Sequence, residues 1–306
     1  MAHEPDSLVV ATDTGVGIHF LDWGGEDKAL PPLLLLHGLA STAWSLTPVA
    51  RRLREHTRVI AADLRGHGMS EAPRAGYELE SLAFDALTVL VANGYGIDAG
   101  GRAAVVAGHG LGAMVAATMA TIQPDSIAGI ALIDAGWEEL GEATGMTAAD
   151  FERSIGDPPE VMASMDAYLA DRREFDPATW DADQERAARA AVDEKHAGHV
   201  GPVTRTHALR GSIAAMFEYR PIETLTTLSM PLMIAVAESG AADDETARER
   251  QIALQDVVQA RAQAGLPPPD IRRFSGAGHN LMRYRSDELT AALLDLLNEA
   301  DAHQRS

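Results

Sequence analysis

Three glycines spaced two apart, Gly108, Gly110 and Gly112, stand between an apolar run and a helical pattern. The run Ala103 to Ala107 reads as a buried strand, and Leu111 to Ile122 carries the period of a helix. A chain passes from strand to helix without a loop only by turning abruptly. Such a turn calls for small residues where backbone meets backbone and for a residue that accepts unusual dihedral angles at its centre. The feature commits the chain to a strand–turn–helix unit and lifts residue 110 above the end of a strand.

The rest of the chain repeats the alternation. Ser7 to Thr12 and Gly17 to Trp23 read as an antiparallel hairpin, and Pro32 to Leu36 and Thr57 to Ala62 as buried strands. Leu46 to Glu55 and Leu82 to Ala92 read as helices, and Ile127 to Ile133 as a further strand ending at Asp134. From about Gly136 to Arg220 the pattern becomes helical and amphipathic, with no clear buried strand. The sheet pattern resumes at Pro231 to Ala237, followed by a helix from about Asp244 to Ala264, a strand at Ile271 to Phe274 and a last helix from about Asp287 to Leu297. Strands separated by helices predict an α/β fold, a mostly parallel central sheet with helices on both faces. The expected domains are a core of residues 1–135 and 221–306 and an inserted helical cap of residues 136–220.

Composition narrows the function classes. With 25 basic against 45 acidic side chains the formal charge is −20, which argues against nucleic acid and anionic membranes as partners. Cysteine is absent, so neither a disulfide framework nor a cysteine nucleophile is available. The N-terminal residues lack a basic segment followed by an apolar one, and the run Leu33 to Leu36 is far shorter than the about 20 residues of a membrane span. The expectation is a cytoplasmic protein with no membrane partner, and self-association into a homo-oligomer stays open. His196 and His199 form a metal-binding pair if they lie on one helix, but no nearby carboxylate completes a ligand set. Neither a metal nor a cofactor is expected.

Four segments carry chemistry, each at the end of an expected strand: Leu36-His37-Gly38-Leu39, Asp63-Leu64-Arg65-Gly66-His67-Gly68-Met69-Ser70, Gly108-His109-Gly110-Leu111-Gly112 and Gly276-Ala277-Gly278-His279. The third reads as a nucleophile elbow, G-x-S-x-G, with Gly110 where serine is expected. In this order the segments resemble the α/β-hydrolase superfamily over nearly the whole chain, in the capped esterase and lactonase type. The resemblance implies His279 as the base. It implies His37, His67 and His109 as structural histidines, and the backbone N–H groups of Leu39 and Leu111 as the oxyanion hole.

Two carboxylates compete for the acid that orients the base. The family usually places it after the strand Pro231–Ala237, yet Ala237-Glu238-Ser239-Gly240 offers no aspartate near Gly240. Haloalkane dehalogenases and fungal zearalenone lactonases resemble a second arrangement, with the acid at the end of the strand after the elbow helix, where Asp134 stands. Asp134 is the preferred acid and Glu238 the alternative. A dehalogenase would need an aspartate nucleophile followed by tryptophan, and Leu111 occupies that place.

The cap supplies Met165, Tyr168, Trp180, Met216 and Phe217 as candidate substrate contacts, with Met162 among its other large apolar residues. With the apolar cap, the resemblance to bacterial zearalenone lactonases implies a bulky hydrophobic lactone or carboxylic ester as the small-molecule partner, with a role in mycotoxin degradation. Because glycine has no nucleophile, two readings follow. One is an ester or lactone hydrolase in an inactive, substrate-trapping form. The other is a natural non-catalytic ligand-binding homologue.

Overall fold

The computed structural model of the protein describes residues 4–25, 29–155, 164–196, 199–238 and 245–305. Strands β1 (Asp6–Ala11) and β2 (Gly17–Asp22) form the expected antiparallel hairpin. Then come β3 (Leu33–Leu36), α1 (Thr47–Leu53), β4 (Val59–Ala62), α2 (Leu79–Ala92), β5 (Ala104–His109), α3 (Leu111–Ile122) and β6 (Ile127–Ile133). Helices α4 (Leu140–Thr144), α5 (Ala148–Ile155), α6 (Met165–Phe175) and α7 (Ala182–Ala190) follow, then β7 (Val192–His196), β8 (His199–Pro202), α8 (Thr206–Glu218) and α9 (Pro221–Leu225). The chain closes with β9 (Leu232–Glu238), α10 (Glu245–Gln263), β10 (Asp270–Ser275), α11 (Leu281–Tyr284) and α12 (Ser286–Gln304). Asp244, expected to open α10, and Pro158-Pro159, expected to punctuate the cap, lie outside the described residues.

Eight strands form one sheet in the order β1-β2-β4-β3-β5-β6-β9-β10. Pairing is parallel from β4 across to β10 and antiparallel only at the β1–β2–β4 edge. The period of two along a strand sorts the core into two layers. Leu34, Leu36 and Val106 pack on one face with α2, α3 and the α10 residues Leu254 and Val257. Leu33, Leu35, Val105 and Ala107 pack on the other face with α1, α11 and α12. Both faces are therefore covered, which is why these strands read as unbroken apolar runs rather than as alternation. No helix among the described residues is long and apolar enough to cross a membrane.

The segment between β6 and β9 corrects one expectation. Besides its helices it contains the antiparallel hairpin β7–β8, whose Val200 is buried against Tyr168 and Leu169. Charged residues at Asp193, Glu194 and Lys195 hid β7 from a search for apolar runs. The same hairpin carries His196 and His199, which lie on paired strands and not on a helix.

Candidate active site

The strand ends of a parallel sheet bring distant sequence segments together at one edge. The loops after β3, β5, β6 and β10 meet there, with Gly38 and Leu39, Gly110, Asp134 and His279 respectively. The turn at Gly110 has φ 56° and ψ −121°, a left-handed conformation that glycine takes without strain. Its flanking glycines are needed for another reason. A Cβ on Gly108 would lie 2.0 Å from the carbonyl oxygen of Gly112, and one on Gly112 would lie 2.5 Å from that of Leu36. At Gly110 itself the approach is less severe, though still close. A Cβ there would stand 3.3 Å from the Gly38 Cα and 3.7 Å from His279 Nε2.

His279 Nδ1 donates to Asp134 Oδ2 at 2.7 Å. Because the carboxylate can only accept, Nδ1 carries a proton, so in the neutral ring the free lone pair belongs to Nε2, the nitrogen nearer Gly110. The imidazole is 56% exposed, whereas Asp134 is 2% exposed. The other oxygen of Asp134 accepts from the Ala237 backbone N–H at 2.9 Å and from Arg250 at 2.8 Å. Burial pushes the Asp134 carboxyl up, but the hydrogen bond from His279 and the charge of Arg250 outweigh it and hold the group below its ordinary value. Asp134 also has φ 52°, rare for a residue with a side chain and characteristic of functional turns.

Arg250 was invisible in the sequence. It projects from α10, donates to Glu138 Oε1 at 3.1 Å as well as to Asp134, and lies 4.6 Å from the centre of the Trp137 ring. Glu138 is buried, and that burial raises its carboxyl despite the arginine. Only tertiary contact links these residues, because Asp134 and Arg250 are 116 positions apart.

Three other histidines near these strand ends are tied into the loops by hydrogen bonds. His109 Nε2 donates to the backbone oxygen of His279 at 3.1 Å, and the two rings lie 4.3 Å apart. Burial, helped by the nearby His279, pushes His109 down to about 3, so it is neutral. His37 donates through Nδ1 to the Gly38 carbonyl and accepts the Leu64 N–H, which ties the β3 loop to the β4 loop. His67 donates to the Arg65 carbonyl, and burial pushes it down to about 3. Asp63 accepts from Ala43, Met69 and His19 and holds the same loops together.

Glu238 stands apart from this arrangement. It accepts from Ser275 at 2.7 Å and from Arg273 at 2.9 Å on the exposed rim, and His279 is held by Asp134 instead. Ser239 and Gly240, in the loop after β9, lie outside the described residues.

A cavity of about 490 Å³ opens beside Gly110 and His279. Leu39 and Leu111 line it, together with Ser41 and Arg250. Met216 lines it from α8. Met165, Tyr168 and Trp180 do not; they pack with Leu169 and Val200 in a separate cap cluster. Phe217 sits one step back, edge-on to Phe151 at 5.6 Å. The roof is instead formed by Leu140, Ala143, Phe151 and Ile155. Phe151 and Ile155 are four apart on α5, a spacing that places both on one helix face and was legible in principle. Met162 lies outside the described residues.

Known proteins share parts of this chain. The 2-(acetamidomethylene)succinate hydrolase of Mesorhizobium japonicum is 32% identical over 150 residues, 48% of this chain and 50% of that protein. Epoxide hydrolase 4 of Mus musculus is 33% identical over 124 residues, 40% of this chain and 32% of that protein. The matched segments thus span half or less of these relatives' own length. The crystal structure of E-2-(acetamidomethylene)succinate hydrolase superposes with a TM-score of 0.76 at 21% identity, covering 96% of this chain and 100% of that one. The enol-lactonase from Burkholderia xenovorans superposes with a TM-score of 0.65 at 20% identity, covering 95% and 100%. At these identities the structures establish the shared fold. The profile of the alpha/beta hydrolase family matches residues 33–293, so the chain belongs to the alpha/beta hydrolase family.

Proposed function

We propose that the cavity receives a neutral, bulky hydrophobic carboxylic ester or lactone, and that Gly110 occupies the nucleophile position of a site otherwise equipped to cleave it. One observation carries the reading: His279 is bonded through Nδ1 to Asp134, and its Nε2 lies 3.7 Å from where a Cβ on residue 110 would stand. A serine there would have its hydroxyl within reach of a base already oriented by a buried carboxylate. Leu39 and Leu111 would supply the backbone N–H groups for the carbonyl oxygen, the latter from the first turn of α3, where amides lack intrahelical partners. The cap, residues 136–220, would roof the pocket and choose the substrate.

The walls support a neutral substrate. Arg250 faces the cavity but is matched by Asp134 and Glu138, so no unmatched arginine or lysine lines it among the described residues. A succinate-type dianion, as in the name of the Mesorhizobium relative, would find no counter-charge there. The volume suits a drug-sized apolar molecule, and a zearalenone-type macrolactone is the representative we favour.

Gly110 itself supports a second reading, a ligand-binding homologue that does no chemistry. The deciding experiment is Gly110→Ser with a fluorophosphonate probe and a panel of esters and lactones. Labelling of the serine variant, with hydrolysis of at least one hydrophobic member, is the expected result. A folded variant that is neither labelled nor active assigns the chain to ligand binding.

A further inference from the structure

Given that reading of the cavity, we propose that the chain as it stands hydrolyses esters without a covalent intermediate, with His279 activating a water molecule in the space beside Gly110. The base is complete without a serine. Asp134 fixes its proton on Nδ1, and the Nε2 lone pair faces residue 110. The His109 ring and its hydrogen bond to the His279 carbonyl hold the loop in place. The space is narrow: a Cβ at Gly110 would stand in close contact with the Gly38 Cα at 3.3 Å and 3.7 Å from Nε2, so one small group fits between glycine and base. It opens onto the same cavity as Leu39 and Leu111. Exposure of the imidazole gives solvent a path to Nε2.

The reaction balances with water as the only co-reactant. Nε2 takes a proton from water as the oxygen lone pair attacks the carbonyl carbon. The C=O π pair moves onto oxygen, where the Leu39 and Leu111 amides receive it. The oxyanion then re-forms the double bond, the carbon–oxygen bond to the leaving group breaks, and Nε2–H returns its proton to the departing alkoxide. One ester and one water give one acid and one alcohol, and a lactone gives one hydroxy acid. A covalent serine route makes an acyl-enzyme at residue 110, whereas this route makes none.

The probe is 4-nitrophenyl butyrate, with the unaltered chain compared with His279→Ala and Gly110→Ala. General-base assistance is worth about 10²–10⁴, so His279→Ala should lose about 10²-fold or more. Gly110→Ala should lose comparably, because its methyl takes the space of the water while leaving the His279–Asp134 pair whole. Turnover of the unaltered chain should show no burst, no acyl adduct by mass spectrometry and no inhibition by a fluorophosphonate. It should also slow in D₂O. A rate unchanged in both variants overturns the proposal, as does an acyl adduct on another residue such as Ser41, which lines the cavity. If the unaltered chain is inert while Gly110→Ser is active, only the water route falls. If both are inert, the reading of the cavity falls with it.

Discussion

The Nδ1 atom of His279 lies 2.7 Å from Oδ2 of Asp134 although 145 positions separate the two in sequence. The contact joins the end of β6 to the loop after β10, with β9 between them in the sheet. Of the two carboxylates that the sequence left in competition, Asp134 is the one in contact with His279. The chemical content of the contact is a preference between tautomers: in the neutral ring the proton sits on the nitrogen facing the carboxylate, which leaves the lone pair on the nitrogen nearer residue 110.

That selection predicts unequal losses in a Gly110→Ser background. Asp134→Asn should lower kcat by about 10⁴, as expected when a triad base takes the wrong tautomer. Glu238→Gln, whose partners Ser275 and Arg273 lie on the rim, should change kcat by less than about 10-fold. Steady-state kinetics on a hydrolysed ester decides it. A larger loss at Glu238 would move the acid to the end of β9.

The buried histidines predict an acid-labile fold. His67 and His109 sit at about 3 in the folded chain against an unfolded value of 6.5. Between those values the unfolded chain binds a proton that the folded chain refuses. Each histidine therefore lowers stability as pH falls from about 6.5 toward 3, by about 1.4 kcal/mol per pH unit where the two states differ by a full proton. Urea unfolding at pH 7, 6 and 5 should show this fall, and His67→Gln should make it shallower. The depressed Asp134 adds a further loss only at lower pH, once the solution falls below its unfolded value of 3.8 toward its folded one.

How much of the site was legible follows from how each residue is placed. The elbow, His279 and the succession of strands and helices in the core are local: each is announced by glycines or by an apolar run. Asp134 was legible as the last residue of β6, although its choice over Glu238 needed the sheet to bring β6 and the β10 loop together. Arg250 was not legible, because one arginine on a charged helix looks like any other until the helix docks. The cap misled for a similar reason. Large apolar residues such as Trp180 and Tyr168 announce burial, but burial in a small helical layer can be cap core as easily as pocket wall, and here it is cap core.

The exchange of pocket walls predicts a split between binding and folding. Phe151→Ala should weaken binding of an apolar ligand or raise KM by about 10-fold or more, because it removes a ring from the roof. Trp180→Ala should leave KM near its starting value. It should instead destabilise the cluster of Tyr168, Leu169 and Val200, seen as faster proteolysis within residues 164–202. Calorimetry with intact ligand and a timed proteolysis series would separate the two.

The close approaches within the turn predict that its flanking glycines are structural. Gly108→Ala would drive a methyl to 2.0 Å from the Gly112 carbonyl oxygen, backbone that cannot swing aside. A loss of several kcal/mol or failure to fold is expected, read by chemical denaturation. Gly94→Ala has open space around its Cβ and bears only the strain of φ 80°, so its loss should stay near 1 kcal/mol.

The same turn sets durability against turnover. At φ 56° and ψ −121° a residue with a side chain holds the elbow under strain of about 1–3 kcal/mol, whereas glycine rests there freely. A serine at 110 would arm the base at His279 and load the backbone in the same step. The more active variant should therefore melt several degrees earlier than its parent. The present chain lies at the durable end of that exchange, with its turn relaxed and its base kept ready.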